Sequence, residues 1–481
     1  MAQSSNVMIH GSTFNSAQRD FHIHNRDSES GKHDFMFIPK NILINGRHEG
    51  LHYLKLGVSL GAIHDSAERS PAPNCHPGTR EAVQQIILHW IHSKSLESYF
   101  FWLYGPAGAG KTSILQAIAE FLCSPSGSGQ NFGGSFFFSR GKHGRDQGHF
   151  LFSTIAYQLA LKVPGLRQHI NRFMELDPTL HTKSMGIQFK TLIVDAFKRL
   201  SPLPERSYLV IIDGLDECQD KATQQSILQH LCESSTVHKL PLRFLIGSRP
   251  ESHIRASFDR ESLYTITHRV VLDEKFNPGR DIRVFLQDGF AKIRSENSIL
   301  SHVKQPWPGE GTIDLLVQRS SGQFIYAATV LKFVGADFYS PTKQLALVLK
   351  PDPSAFSDLD QLYTQILSVY PSVVNLVHVL GIVSASHGVL QEVMEDIFGM
   401  EEGELMLVLR GLLSLMKDEN GESLNKGNMS YVIPHFAHAS FSDYLFDSSR
   451  SGPFHVNREE YEYQVIKRSF TLIIQSIRSW R

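Results

Sequence analysis

The sequence predicts an α/β domain built on a parallel sheet, followed by an all-helical region and a winged helix. Three observations carry that reading. Apolar runs without alternation, such as Tyr208-Leu209-Val210-Ile211-Ile212, suit strands covered on both faces by helices. A glycine-rich turn, Gly105-Pro106-Ala107-Gly108-Ala109-Gly110-Lys111-Thr112, joins one such run, Tyr99 to Tyr104, to an amphipathic stretch from Ser113 to Leu122. From about Asp281 the apolar spacing turns helical, and it stays so until a polar segment, Lys417 to Met429, that suits a wing.

Composition limits the function classes. A chain of 481 residues is long enough for two to four domains with their own cores. Hydrophobic residues at 41% and charged residues at 20% describe an ordinary globular protein. The formal net charge of −1 gives no bulk pull toward nucleic acid or an anionic membrane. Cys75, Cys123, Cys218 and Cys232 lie far apart without a C-x-x-C, which argues against a disulfide framework or zinc site and for a reducing compartment. The start of the sequence has neither the basic nor the apolar part of a signal peptide, and no uncharged apolar run reaches membrane-span length. A cytoplasmic protein with no membrane span is expected.

Residues 1–72 read as a largely irregular arm, in which Gly11 to Asn15 and Phe21 to His24 alternate like short strands. A short β motif that templates assembly is the alternative there. Pro71 to Gly78 is a linker by composition, and Thr79 caps a helix whose apolar positions are Val83, Ile86, Ile87, Trp90 and Ile91.

Strand, glycine-rich turn and helix form the context in which G-x-x-x-x-G-K-[ST] means a phosphate-binding loop. Glycines let successive backbone N–H groups converge on one anion, and the following helix adds its positive end. Gly105 to Thr112, with Ser113, are therefore the candidate nucleotide contacts; Lys111 reaches the β- and γ-phosphates and the Thr112 hydroxyl ligates Mg²⁺. Gly133 to Ser139 reads as a further buried strand and Phe150 to Val163 as a helix. Asp213 falls at the carboxyl end of the Tyr208 strand, where open α/β sheets bind ligands, and can hold Mg²⁺ opposite Thr112. Asp216 and Glu217 lie where a carboxylate could orient or deprotonate an attacking water. After the strand Leu242 to Gly247, Arg249 is a candidate γ-phosphate sensor; a surface arginine satisfied by a carboxylate is the alternative. Neither a D-x-x-G after the apolar strand nor an N-K-x-D is present, so ATP/ADP is favoured and GTP left open.

The phosphate loop, Asp213-Gly214-Leu215-Asp216-Glu217 and Ser248-Arg249-Pro250 together resemble a NACHT domain, a branch of the signal-transducing (STAND) P-loop NTPases. Phe136 to Gly141, Thr154 to Ala160 and Gly78-Thr79-Arg80 are similar to the fungal members, whose module is related to the nephrocystin-type N-terminal domain. The resemblance implies an ASCE-type sheet and covers about residues 60–450. Its expected divisions are a nucleotide domain at 73–272, a helical domain at 273–350, a winged helix at 351–450 and a helical remnant at 451–481.

In the winged helix, helices are expected at Val373 to Ser384, Leu390 to Phe398 and Glu404 to Leu415, then the wing, then Tyr431-Val432-Ile433. The candidate recognition helix opens Glu401-Glu402-Gly403-Glu404; these acids oppose phosphate contact, so protein packing rather than nucleic-acid binding is expected. Phe436 to Leu445 resembles the segment of animal NACHT receptors in which the residue matching His438 contacts the diphosphate of ADP. A satisfied core imidazole is the alternative for this one of 24 histidines. The resemblance implies a nucleotide-operated switch with slow ATP hydrolysis, homo-oligomeric when activated, with protein signalling partners; self/non-self recognition is one role of that kind. A housekeeping ATPase motor and a nucleotide-binding scaffold without switching are the other classes. No repeat at the WD, ankyrin or tetratricopeptide periods follows.

Overall fold

The computed structural model describes residues 49–479 except 94–97, 126–131, 337–338, 351–356, 371, 386–394, 397, 402, 411, 413 and 418–434. Five strands form one sheet: β1 Phe100–Tyr104, β2 Phe132–Phe137, β3 Tyr208–Asp213, β4 Leu242–Ser248 and β5 Thr267–Val271. All pair in parallel, in the order β2-β3-β4-β1-β5. β4 therefore separates β1, which feeds the glycine-rich turn, from β3, which ends in Asp213. That inserted strand is the ASCE arrangement of a P-loop NTPase fold.

The unalternating runs are explained by two cores. Phe100, Trp102, Val210, Ile212, Phe244 and Ile246 enter the core on one face of the sheet. Phe101, Leu103, Leu209, Ile211 and Leu245 enter the other, beneath the helices Glu81–His92 and Lys111–Cys123. Each such side chain contributes about 1.5–3 kcal/mol by leaving water, so an apolar residue is favoured at every strand position.

Within the expected arm, the described residues begin with a helix. This helix, Glu49–Lys55, buries Leu51 and Leu54 in the first core beside the helix Leu166–Leu176. The Leu51 N–H donates to Asn171 Oδ1 at 3.0 Å across 120 residues of sequence, and the Ser59 and His64 N–H groups donate to Thr154 Oγ1 and Ser135 Oγ, each at 3.0 Å. The segment has too few apolar positions to show a period; distant side chains, not local ones, order it. The strand-like stretches near Gly11 and Phe21 lie outside the described residues.

A separate core joins the helices Pro278–Glu296, Glu310–Ser320, Phe324–Val334 and Pro341–Leu349 to Asp358–Ser368, Val373–Ala385 and Glu404–Arg410. An antiparallel ribbon follows, β6 Met416–Lys417 with β7 His435–Phe436, and then the helix Ala439–Leu445. Helices followed by a ribbon make the winged helix. Its expected third helix ends five residues early, at Arg410, and the wing and Tyr431-Val432-Ile433 lie outside the described residues. Near the end, the helix Arg458–Ser479 packs Tyr461 and Val465 onto this core. Among the described residues, no helix is long and apolar enough to cross a membrane.

Candidate functional site

The phosphate loop leaves β1 and enters the helix Lys111–Cys123 through two glycines in the left-handed region, Gly108 at φ +73° and Gly110 at φ +89°. That conformation penalises any side chain. Space forbids one at Gly108 as well, because a Cβ there would stand 2.1 Å from Ile325 Cγ2. The Ile325 N–H donates to the Gly108 carbonyl at 3.4 Å, so the loop tip packs against the start of the helix Phe324–Val334. Lys111 Nζ donates to the Gly105 and Pro106 carbonyls, both at 2.8 Å, curling the ammonium over the loop's own backbone. Burial lowers its pKa, against the opposing pull of Asp216 and Asp213. Thr112 and Ser113 follow in the first turn, both partly buried.

Asp213 ends β3, and the Thr112 hydroxyl hydrogen-bonds its carboxylate. Burial raises the Asp213 pKa, and the Thr112 bond only partly opposes it. A buried carboxylate beside a hydroxyl offers the hard oxygen donors that Mg²⁺ prefers, and a divalent charge would relieve the buried acid. The residues present fit that metal. Gly214 then turns the chain into a tight helical turn, Leu215–Glu217, that presents the next two acids.

These acids sit in different surroundings. Both oxygens of Asp216 are taken by Arg249: the backbone N–H donates to Oδ1 at 2.9 Å, and Nε lies 3.3 Å from Oδ2. Glu217 accepts one bond, from the Arg140 N–H at 3.1 Å. Burial first, then repulsion from Asp216, pushes the Glu217 pKa up to about 7. Sequence offers both acids as candidates; in the structure Asp216 holds Arg249, and burial leaves the Glu217 carboxyl near neutrality.

Arg249 reaches further. Its Nη1 donates to Asp443 Oδ2 at 2.5 Å, and Arg140 Nη1 donates to Asp443 Oδ1 at 2.9 Å. Asp443 belongs to the helix Ala439–Leu445, so one carboxylate from the winged helix clamps two arginines at the sheet's carboxyl edge. Although burial pulls the Arg249 pKa down, Asp443 and Asp216 hold it above its ordinary value. The Arg249 side chain is 19% exposed and satisfied by two carboxylates, as the alternative expects, although it lies inside the site rather than on the open surface.

His438 caps that same helix. The Ser440 N–H donates to His438 Nδ1 at 3.1 Å. A backbone N–H can only donate, so Nδ1 carries no proton and Nε2 holds the N–H. Burial, then the positive charges of Arg249 and Lys111, lower the imidazole pKa to about 4, which keeps it neutral at pH 7. That Lys111 and Arg249 act on its ring reflects how near His438 of the winged helix stands to the phosphate loop.

Sequence reading assigned no role to three participants. Asp443 stands inside the segment that carries the His438 resemblance, and Arg140 inside Phe136 to Gly141, but their pairing spans 303 residues. Arg80 adopts φ +57°, donates its backbone N–H to Asp281 Oδ2 at 2.8 Å and its Nη2 to the Ala109 carbonyl at 2.9 Å. The guanidinium lies 4.8 Å from the Phe324 ring centroid, and its buried Nε and Nη1 have no protein partner. Two orphan donors beside a phosphate loop are a signal that only the fold reveals.

Residues 80–249, about a third of the chain, match the family model described as nephrocystin 3, N-terminal. The match begins at Arg80 and ends at Arg249. No curated protein matches the sequence. Solved structures similar to this chain include the Orc1 protein of Aeropyrum pernix in complex with DNA, 15% identical at a TM-score of 0.39, over 85% of this chain and 96% of that one. Cdc6p of Pyrobaculum aerophilum is 12% identical at a TM-score of 0.36, over 85% and 98% of the two chains.

Proposed function

We propose that this protein is a NACHT-type switch operated by ATP and ADP, with slow hydrolysis, and that the described conformation is its closed state. One observation supports this reading above the others: Asp443 occupies Arg249 and Arg140 together. Arg249 stands where a γ-phosphate sensor belongs, at the end of β4 beside the β1 loop. A third phosphate at that loop adds negative charge within reach of the same guanidinium. It then competes with Asp443, so the nucleotide's length is read as docking or release of the winged helix. ADP lacks that competitor and leaves the clamp intact. Release of the winged helix would free surfaces for association with further copies and with protein signalling partners.

The rest of the site supports the same reading. Lys111 and the loop N–H groups hold the diphosphate, and the His438 Nε2–H supplies a neutral donor from the winged helix. Thr112 and Asp213 would hold Mg²⁺, whose charge offsets that of the phosphates. Glu217, titrating near neutrality, is the better-placed base for the attacking water. A constitutive motor needs its sensor arginine free on every turnover, and the Asp443 clamp argues against that class. Glu404, in the first turn of the helix Glu404–Arg410, would repel a phosphate backbone, which favours protein packing over nucleic-acid binding there.

Asp443→Asn tests the proposal. Charge-assisted hydrogen bonds contribute about 1.5–3 kcal/mol, so weakening the clamp should speed release of fluorescent ADP about ten-fold or more. It should also raise the self-associated fraction seen by light scattering. Release at the parental rate would refute the clamp.

A further inference from the structure

His438 does not act alone. Ser440 Oγ lies 2.7 Å from His438 Nδ1, and the Tyr363 hydroxyl lies 2.8 Å from Ser440 Oγ. Proton bookkeeping leaves one consistent direction for these bonds. The Ser440 N–H already donates to Nδ1, so Nδ1 is bare and the hydroxyl of Ser440 must donate to it as well. With its one proton committed, Ser440 Oγ can only accept from Tyr363. The chain therefore runs from Tyr363 through Ser440 to Nδ1, and the proton of His438 is held on Nε2.

From this geometry we infer that Tyr363 is a positioning residue for nucleotide binding: through Ser440 it fixes the tautomer and ring orientation in which His438 offers an N–H to the diphosphate. The inference rests on the proposed contact between His438 and bound ADP. Tyr363 sits in the helix Asp358–Ser368, fully buried, and its ring packs against Phe441 and Tyr444 of the helix that His438 caps. The arrangement ties the donor state of His438 to the docking of two winged-helix elements. If the helices Asp358–Ser368 and Ala439–Leu445 part, Ser440 is free to rotate and the imidazole loses both its tautomer and its aim. Protonating Nδ1 would break both bonds it accepts, so the relay also favours the neutral ring beside the cations Lys111 and Arg249 and the carboxylate Asp443, the charged groups that face it.

A double-mutant cycle separates this role from simple packing. Tyr363→Phe keeps the buried ring and removes only the hydroxyl; release of N-methylanthraniloyl-ADP should quicken about five-fold, the value of one neutral hydrogen bond. In a His438→Ala background the same change should do nothing further, because no imidazole remains to orient. Ser440→Ala, which removes the bond to Nδ1 as well, should quicken release at least as much as Tyr363→Phe, and Ser440→Thr, which keeps a hydroxyl, should restore slow release. Equal acceleration by Tyr363→Phe with and without His438 would overturn the relay and reduce Tyr363 to packing. If His438→Ala itself releases ADP at the parental rate, the proposed contact fails, and the relay falls with it.

Discussion

The wall of the site that carries the phosphate loop and the wall that carries His438 handle charge in opposite ways. On the first, charges are buried on consecutive strand ends and satisfied within the same domain: Lys111 by its own loop carbonyls, Asp216 by Arg249, Glu217 by the Arg140 backbone. On the second, a neutral histidine and one carboxylate meet groups that lie two to three hundred residues earlier, as the Arg249 and Arg140 pairs with Asp443 span 194 and 303 residues. The first wall can keep its geometry when the second departs. The second cannot keep its partners without the first. Under the proposed function, one side of the site would bind nucleotide and the other would report it.

If that division holds, the largest loss comes from the binding wall. Lys111→Ala removes a cation from the phosphates and should weaken a fluorescent ATP analogue at least a hundred-fold, roughly two charge-assisted bonds' worth, in an equilibrium titration. Near-parental affinity would show that the loop does not carry the binding.

A smaller effect should come from Glu217. With its folded pKa near 7 against an ordinary 4.5, the native state holds an extra proton between those values. Stability attributable to this group is therefore present below about pH 4.5 and declines as pH rises through 7, because the unfolded chain gives up the proton first. Glu217→Gln should remove that slope from the melting temperature measured between pH 5 and 7.5. It should also abolish any rise of the hydrolysis rate over the same interval. A slope that persists in Glu217→Gln assigns it to other groups, and an unchanged rate profile removes Glu217 as the base.

The same contrast explains how much of the molecule was legible beforehand. Most of the binding wall rests on short-range signals: a glycine spacing, an apolar run ending in an acid, a strand ending in Ser248-Arg249; Arg80 and Arg140 join it only through the fold. These signals mark the carboxyl ends of β1, β3 and β4, whereas the order β2-β3-β4-β1-β5 needed the fold. On the reporting wall, only His438 is marked locally, by the segment Phe436 to Leu445. Asp443 is one acid on a short helix, and nothing local distinguishes it from Asp447, which merely caps the next turn by accepting from the Ser449 N–H at 2.9 Å. Its meaning comes from two arginines supplied by distant loops. Choosing between Asp216 and Glu217 also needed the fold, because adjacent acids differ only in which neighbour claims them. The helix Glu49–Lys55 is illegible in sequence for the same reason: Leu51 and Leu54 are too few to set a period, and their partners arrive from the helices that follow β2.

The central claim is that the nucleotide's third phosphate decides whether the winged helix stays docked through Asp443. Amide hydrogen exchange across the helix Ala439–Leu445 measures that docking directly, with ADP or a non-hydrolysable ATP analogue saturating the parent protein. Slow exchange in ADP and clearly faster exchange in the ATP analogue, with Asp443→Asn fast in both, is the predicted result. Equal protection of this helix by the two nucleotides in the parent protein would contradict it.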